Sequence, residues 1–232
     1  MRFKQKLPIK LSPRFSTKKA HAMQLRLSKQ VIHEDTLPET INYVAGVDIA
    51  YTEGTSIGAV AVLDFASLSL AESKVVHLKT RFPYIPTLLS FREIPPAYSA
   101  IKKLQTQPDV FLVDGQGFAH PYRLGFATHL GLAIDKPTIG VAKSLLCGKV
   151  EPVFEYGWAP LMDGEEVIGA EVVTKHGTKP IYVSVGHRVS LRRAIGIVKN
   201  CTRTYRIPEP IRKAHMLANE EKSKFRQAIF TK

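Results

Sequence analysis

Only two cysteines, Cys147 and Cys201, occur in 232 residues. That is too few for a disulfide framework or a thiolate metal cage, and it suits a reducing compartment. No uninterrupted apolar stretch approaches the ~18–20 residues that a membrane span requires, and the basic N-terminus carries no apolar secretory block. A cytoplasmic protein with no membrane association is expected. The histidines and cysteines form no HExxH or CxxC pattern, which argues against a zinc enzyme, and the absence of a GxxxxGK loop excludes a nucleotide-binding P-loop. There is no internal repeat and no low-complexity linker, so one main domain is expected.

Acidic residues are missing altogether from the first 33 positions, where nine Lys or Arg give a charge of +9. Residues 188–232 carry another +9, whereas residues 34–187 sum to −5. Solvated lysines on helix faces are the simpler source of a basic chain, but so uneven a layout favours a polyanion held at the flanks. Carboxylates in the centre would then be placed to hold divalent cations.

Residues 1–16 have no hydrophobic period and include Pro8 and Pro13, so they read as an arm ahead of a domain spanning 17–232. The spacing of Ala20, Met23, Leu27 and Val31 predicts a helix over 17–32. Three β-rich runs at 43–51, 57–65 and 68–78 predict an antiparallel meander. The stretch 87–104 has helical spacing but contains Pro95 and Pro96, which predicts a kink or two helices. Short apolar strands at 109–114 and 137–141 flank a helix at 124–134, the pattern of a parallel crossover. Further strands at 165–175 and 181–185 and basic helices at 190–201 and 209–227 complete a mixed α/β fold, with the meander followed by parallel strands and helices flanking the sheet.

Asp48 lies inside the run Tyr-Val-Ala-Gly-Val-Asp, where an ionised side chain is costly unless cations or donors meet it, and Asp114 closes a second apolar strand. Glu93, on the helix between them in sequence, can reach the same crevice. Three hard oxygen donors suit Mg²⁺ and phosphodiester hydrolysis; a strand-end aspartate equally caps a turn or helix. Lys143 closes Thr-Ile-Gly-Val-Ala-Lys-Ser, where it can pair with a phosphate. His120, just after Gly115-Gln116-Gly117, either orients a water or phosphate or serves as a structural group. His215, on the basic C-terminal helix, either approaches the carboxylates or stays solvated. Pro83-Tyr84-Ile85-Pro86 is a stiff turn whose tip either wedges between bases or packs as an ordinary loop.

The blocks at 43–48, 82–86, 91–93 (Phe-Arg-Glu), 113–117 (Val-Asp-Gly-Gln-Gly), 119–121 (Ala-His-Pro), 138–144 and 206–210 (Arg-Ile-Pro-Glu-Pro) occur in the order found in one family. Over residues 22–217 the sequence resembles endonuclease V, a deoxyinosine-directed nuclease family with an RNase H-like fold. The resemblance implies an enzyme of DNA repair that uses Mg²⁺, with Mn²⁺ able to substitute. It cuts inosine-containing DNA at the second phosphodiester 3′ to the lesion. Asp48, Glu93 and Asp114 then correspond to metal-binding carboxylates, Lys143 to the catalytic lysine, and His120 and His215 to histidines of the catalytic site. Pro83, Tyr84, Ile85 and Pro86 correspond to the wedge, and Leu89, Gly115 and Gly140 to the lining of the pocket for the turned-out base. Main-chain groups there would read hypoxanthine, whose weak pairing lowers the cost of flipping. Thr87 departs from the family, which commonly carries glycine at that place. The alternatives are an inosine-directed endoribonuclease, an RNase H-like structure-specific nuclease, and a non-catalytic inosine-binding protein. A monomer is the default.

Overall fold

The computed structural model describes residues 15–152 and 157–230. Most of the expected N-terminal arm, residues 1–14, lies outside them. The first helix, α1 (Thr17–Ser28), begins where Ser16 caps it by accepting from the amide of Lys19. It ends four residues before the helix expected over 17–32 does.

The predicted meander is present as β1 (Tyr43–Thr52), β2 (Thr55–Asp64) and β3 (Leu70–Lys79), paired antiparallel. After α2 (Leu89–Ile101), β4 (Val110–Asp114) pairs parallel to β1. Beyond α3 (Phe126–Ile134), β5 (Thr138–Ala142) pairs parallel to β4. Two strands were not anticipated from the sequence, β6 (Lys149–Val150) and β7 (Trp158–Asp163). With β8 (Glu166–Val172) and β9 (Ile181–His187) they extend the sheet by antiparallel pairing in the order β3-β2-β1-β4-β5-β9-β8-β7-β6. Two helices close the chain, α4 (Leu191–Asn200) and α5 (Glu209–Phe230). No described helix is long and apolar enough to cross a membrane.

Alternation along the strands sorts side chains between two layers of helices. Ala45, Val47, Val60, Phe111 and Val113 join Ala97, Ala100, Ala127 and Leu130 of α2 and α3 in one core. Val44, Leu63, Leu112, Ile139 and Val183 join Ala194, Ile195 and Val198 of α4 and Ile211 and Ala214 of α5 in the other. Asp48 and Asp114 stand in step with Val44 and Leu112, on the α5 side.

Helix α2 runs as one element through Pro95 and Pro96, so the expected alternative of two helices does not occur. Each proline removes one helical hydrogen bond, yet Pro96, Ala97 and Ala100 are buried, and packing against β2 outweighs the loss.

Helix α5 lies so close to β1 that a Cβ at Gly46 would overlap the carbonyl of Pro210. Because the obstacle is backbone, Gly46→Ala must push α5 outward. The expected cost is about 3 kcal/mol, a fall in Tm of roughly 10 °C by thermal unfolding. Gly196→Ala, on α4 with nothing within 4 Å of the added Cβ, should match or slightly exceed the parent.

Candidate functional site

The middle of β1 and the end of β4 bring Asp48 and Asp114 together, as the parallel pairing of Val47 with Val113 requires. Helix α5 adds His215, and these three place one ligand atom each within 4.8 Å of one another. His215 Nδ1 lies 2.7 Å from Asp48 Oδ2, while the Ile49 amide donates to Asp48 Oδ1 at 2.8 Å. Asn219, one turn further along α5, places its Nδ2 3.0 Å from His215 Nε2 and so leaves the ring proton on Nδ1, facing Asp48. Lys143 at the end of β5 pairs through Nζ with Asp114 Oδ2, its own side chain 41% exposed.

Glu93 reaches toward this group from α2 but is not one of the trio. Its carboxyl is held well above the ordinary range, first by burial and then by the charges of Asp48 and Asp114. Asp114 is raised for the same reasons, against the pull of Lys143. Charge on Asp48 and Asp114 thus opposes charge on Glu93, and charge on Asp48 opposes charge on Asp114. That is an arrangement a divalent cation relieves. Carboxylate oxygens outnumber the single imidazole, a donor set that fits Mg²⁺ or Mn²⁺ and not a zinc cage.

Tyr51 was not singled out from the sequence. It lies under the guanidinium of Arg92, 3.7 Å from ring centroid to Cζ. Burial, then the charge of Glu93, pushes its phenol above the usual range.

A cavity of about 150 Å³ opens beside the carboxylates, a volume in which a single aromatic ring fits. Tyr84, Pro86, Thr87 and Leu89 form one wall, and Glu93, Asp114, Gly115 and His120 contribute to the rest. Pro83 and Ile85 are not among the lining residues, and neither is Gly140. Gly140 instead sits behind the Gly115–Gly117 loop, where a Cβ would strike the amide of Gly117. Sequence inspection also passed over Ser90, Gln116, Phe126 and Leu146, which line the same space.

His120 is 5% exposed, its Nδ1 accepts from the Tyr122 amide at 3.2 Å, and burial pushes its pKa down to about 4. It therefore presents a neutral imidazole at neutral pH.

Tyr84 projects from its proline-flanked turn with 66% exposure. Thr87 closes that turn with φ +67°, a conformation that glycine adopts freely and a β-branched residue resists. Three contacts hold it there. Its Oγ1 donates to the Pro86 carbonyl and lies 3.0 Å from His21 Nε2, and its own carbonyl accepts from Gln24 Nε2 at 2.8 Å. His21 also stacks on Tyr122 at 3.9 Å.

Residues 25–216 match the family model for Endonuclease V. The chain is 46% identical over 210 residues to Endonuclease V of Thermofilum pendens, covering 90% of each chain. Among solved structures it is similar to Endonuclease V of Streptomyces avermitilis, with TM-score 0.84, 38% identity, and coverage of 90% of this chain and 94% of that one. It is also similar to Ciona intestinalis Endonuclease V in complex with a 24mer DNA containing an inosine followed by a ribo-adenosine. That match has TM-score 0.81 and 32% identity, covering 90% of this chain and 98% of the other.

Proposed function

Since the chain belongs to the endonuclease V family and is therefore a nuclease, we propose that it cuts inosine-containing DNA at the second phosphodiester 3′ to the lesion, initiating repair. One observation carries this reading: Glu93 and Asp114 belong both to the carboxylate cluster and to the wall of the cavity behind Tyr84. A base turned out into that cavity leaves its own backbone next to the cluster. The Ciona intestinalis relative bound to inosine-containing DNA supports the choice of lesion.

Asp48, Asp114 and Glu93 would hold Mg²⁺ or Mn²⁺, with His215 beside them on Asp48. A divalent cation there supplies neutralisation of phosphoryl charge and makes water a stronger acid. His215 fixes Asp48 in place, since an imidazole at 2.7 Å leaves that carboxylate little freedom. Lys143, exposed and paired among the described residues with Asp114 alone, turns to a non-bridging oxygen of the scissile phosphate and offsets its charge. Tyr84 fills the gap in the stack, and the lesion's weak pairing lowers the cost of turning it out. Leu89 and Gly115 border the flipped base, while Gly140 keeps the Gly115–Gly117 loop close to β5. His120, neutral and fixed, steadies the cavity wall.

Residues 17–232 act as one catalytic unit, because the cluster draws on β1, β4, β5, α2 and α5, and the basic first sixteen residues extend the grip on the backbone. Every group needed comes from one chain, which suits a monomer, and two free cysteines suit the cytoplasm.

End-labelled strands with one inosine or none, as DNA and as RNA, test this in Mg²⁺ and in EDTA. The expected product is a nick one linkage beyond the position next to inosine, in DNA and only with metal. Equal cutting of inosine-free strands would refute the lesion specificity, and tight binding without cutting would leave a binding protein.

A further inference from the structure

A second cavity, of about 360 Å³, includes in its lining Phe82, the residue just before the wedge turn. Phe82 and Phe91, stacked at 5.9 Å, line it together with three cations, Lys79, Arg81 and Arg92. No acidic side chain lines this cavity, and no described carboxylate forms an ion pair with Lys79, Arg81 or Arg92. The Nε of Arg92 is buried with no acceptor, a cost that persists unless an acceptor arrives. Cations around aromatic faces, open to solvent and lacking anions, form a site for a nucleotide: phosphate to the guanidinium and ammonium groups, base or sugar against a ring.

Helix α2 joins the two cavities through adjacent residues. Glu93 lines the first cavity and its neighbour Arg92 the second, with Tyr51 stacked beneath Arg92 on the strand that carries Asp48. A strand whose lesion base occupies the first cavity, and whose backbone passes Glu93, has within reach the neighbouring helix residue that lines the second.

We propose that this cavity binds the nucleotide just beyond the cut on the 3′ side, its following phosphate held between Lys79, Arg81 and Arg92. The inference rests on the inosine-directed reading above and adds a subsite to it. Lys79 and Arg81 are exposed residues outside the carboxylate centre, so replacing both with alanine leaves the fold and the metal donors in place.

The test combines that double variant with single-stranded inosine DNA in which one linkage at a time is a neutral methylphosphonate. Cleavage is read as kcat/KM and affinity is read in EDTA. With all-phosphate DNA the Lys79→Ala/Arg81→Ala variant is expected to fall about tenfold below the parent. Neutralising the first linkage beyond the cut is expected to cost the parent a similar factor and the variant almost nothing, the mark of a shared contact. Coupling to a linkage on the 5′ side, or to none, would overturn the subsite. Failure of the parent to cut any inosine strand would defeat the enzymatic reading instead, and the affinities in EDTA would still locate the coupled linkage.

Discussion

Asp114→Asn is expected to reduce cleavage by on the order of 10³-fold while leaving the protein folded and able to bind DNA. Asparagine keeps the shape of the side chain but removes one of the charges that make the cluster attractive to a divalent cation. It also removes the partner that holds Lys143 near the centre. The sign of the stability effect separates this from simple damage. The Asp114 carboxyl is raised in the folded protein by burial and by Asp48, so its ionised form is less favourable there than in the unfolded chain. That penalty is complete above the folded pKa and vanishes below the unfolded one, so at neutral pH the neutral amide should melt at the same temperature or higher. Single-turnover cleavage, thermal unfolding and gel-shift affinity check the three parts. A variant that cuts within tenfold of the parent would remove Asp114 from the chemistry.

Tyr84→Ala has the second largest expected effect, and it falls on discrimination. The ring is 66% exposed and makes no described hydrogen bond, so truncation costs little stability. In the complex it is expected to occupy the space of the departed base. Stacking of that kind contributes about 1–3 kcal/mol, so the ratio of inosine to undamaged cleavage should fall about 10- to 100-fold. Rates with saturating Mg²⁺ on a pre-flipped substrate, such as inosine in a single-stranded loop, should change far less. An unchanged ratio would reduce Tyr84 to a surface tyrosine.

Much of this layout was legible from pattern alone. The meander followed from three alternating runs with short turns, and the placement of Asp48 and Asp114 followed from carboxylates embedded in apolar strands. β7 escaped notice because Pro160 reads against a strand, and β6 because two residues carry no period. The unbroken helix through Pro95 and Pro96 is a tertiary effect that local propensity misjudges. Partners across long separations were less definite: Asp48 and His215 are 167 positions apart, and an approach of His215 to the carboxylates stood beside a solvated alternative. Tyr51 looked like one more strand aromatic until Arg92 was seen lying over it. Gly140 entered the pocket lining only through the family resemblance, and the backbone its missing Cβ admits belongs to the neighbouring loop.

The hold on Thr87 has a consequence for how firmly the wedge is set. Its hydroxyl meets His21 and its carbonyl accepts from Gln24, both on α1, a helix that buries only Ala20 and Gln24. A helix with so little buried surface opens locally at a small fraction of the free energy that melts the sheet. Opening it would release Thr87 from an unfavourable conformation and loosen the turn that carries Tyr84. The wedge therefore shares the fate of the N-terminal helix and not that of the sheet. Warming should erode lesion discrimination while the carboxylates still stand in register, so that selectivity and catalytic power have separate melting points within one molecule.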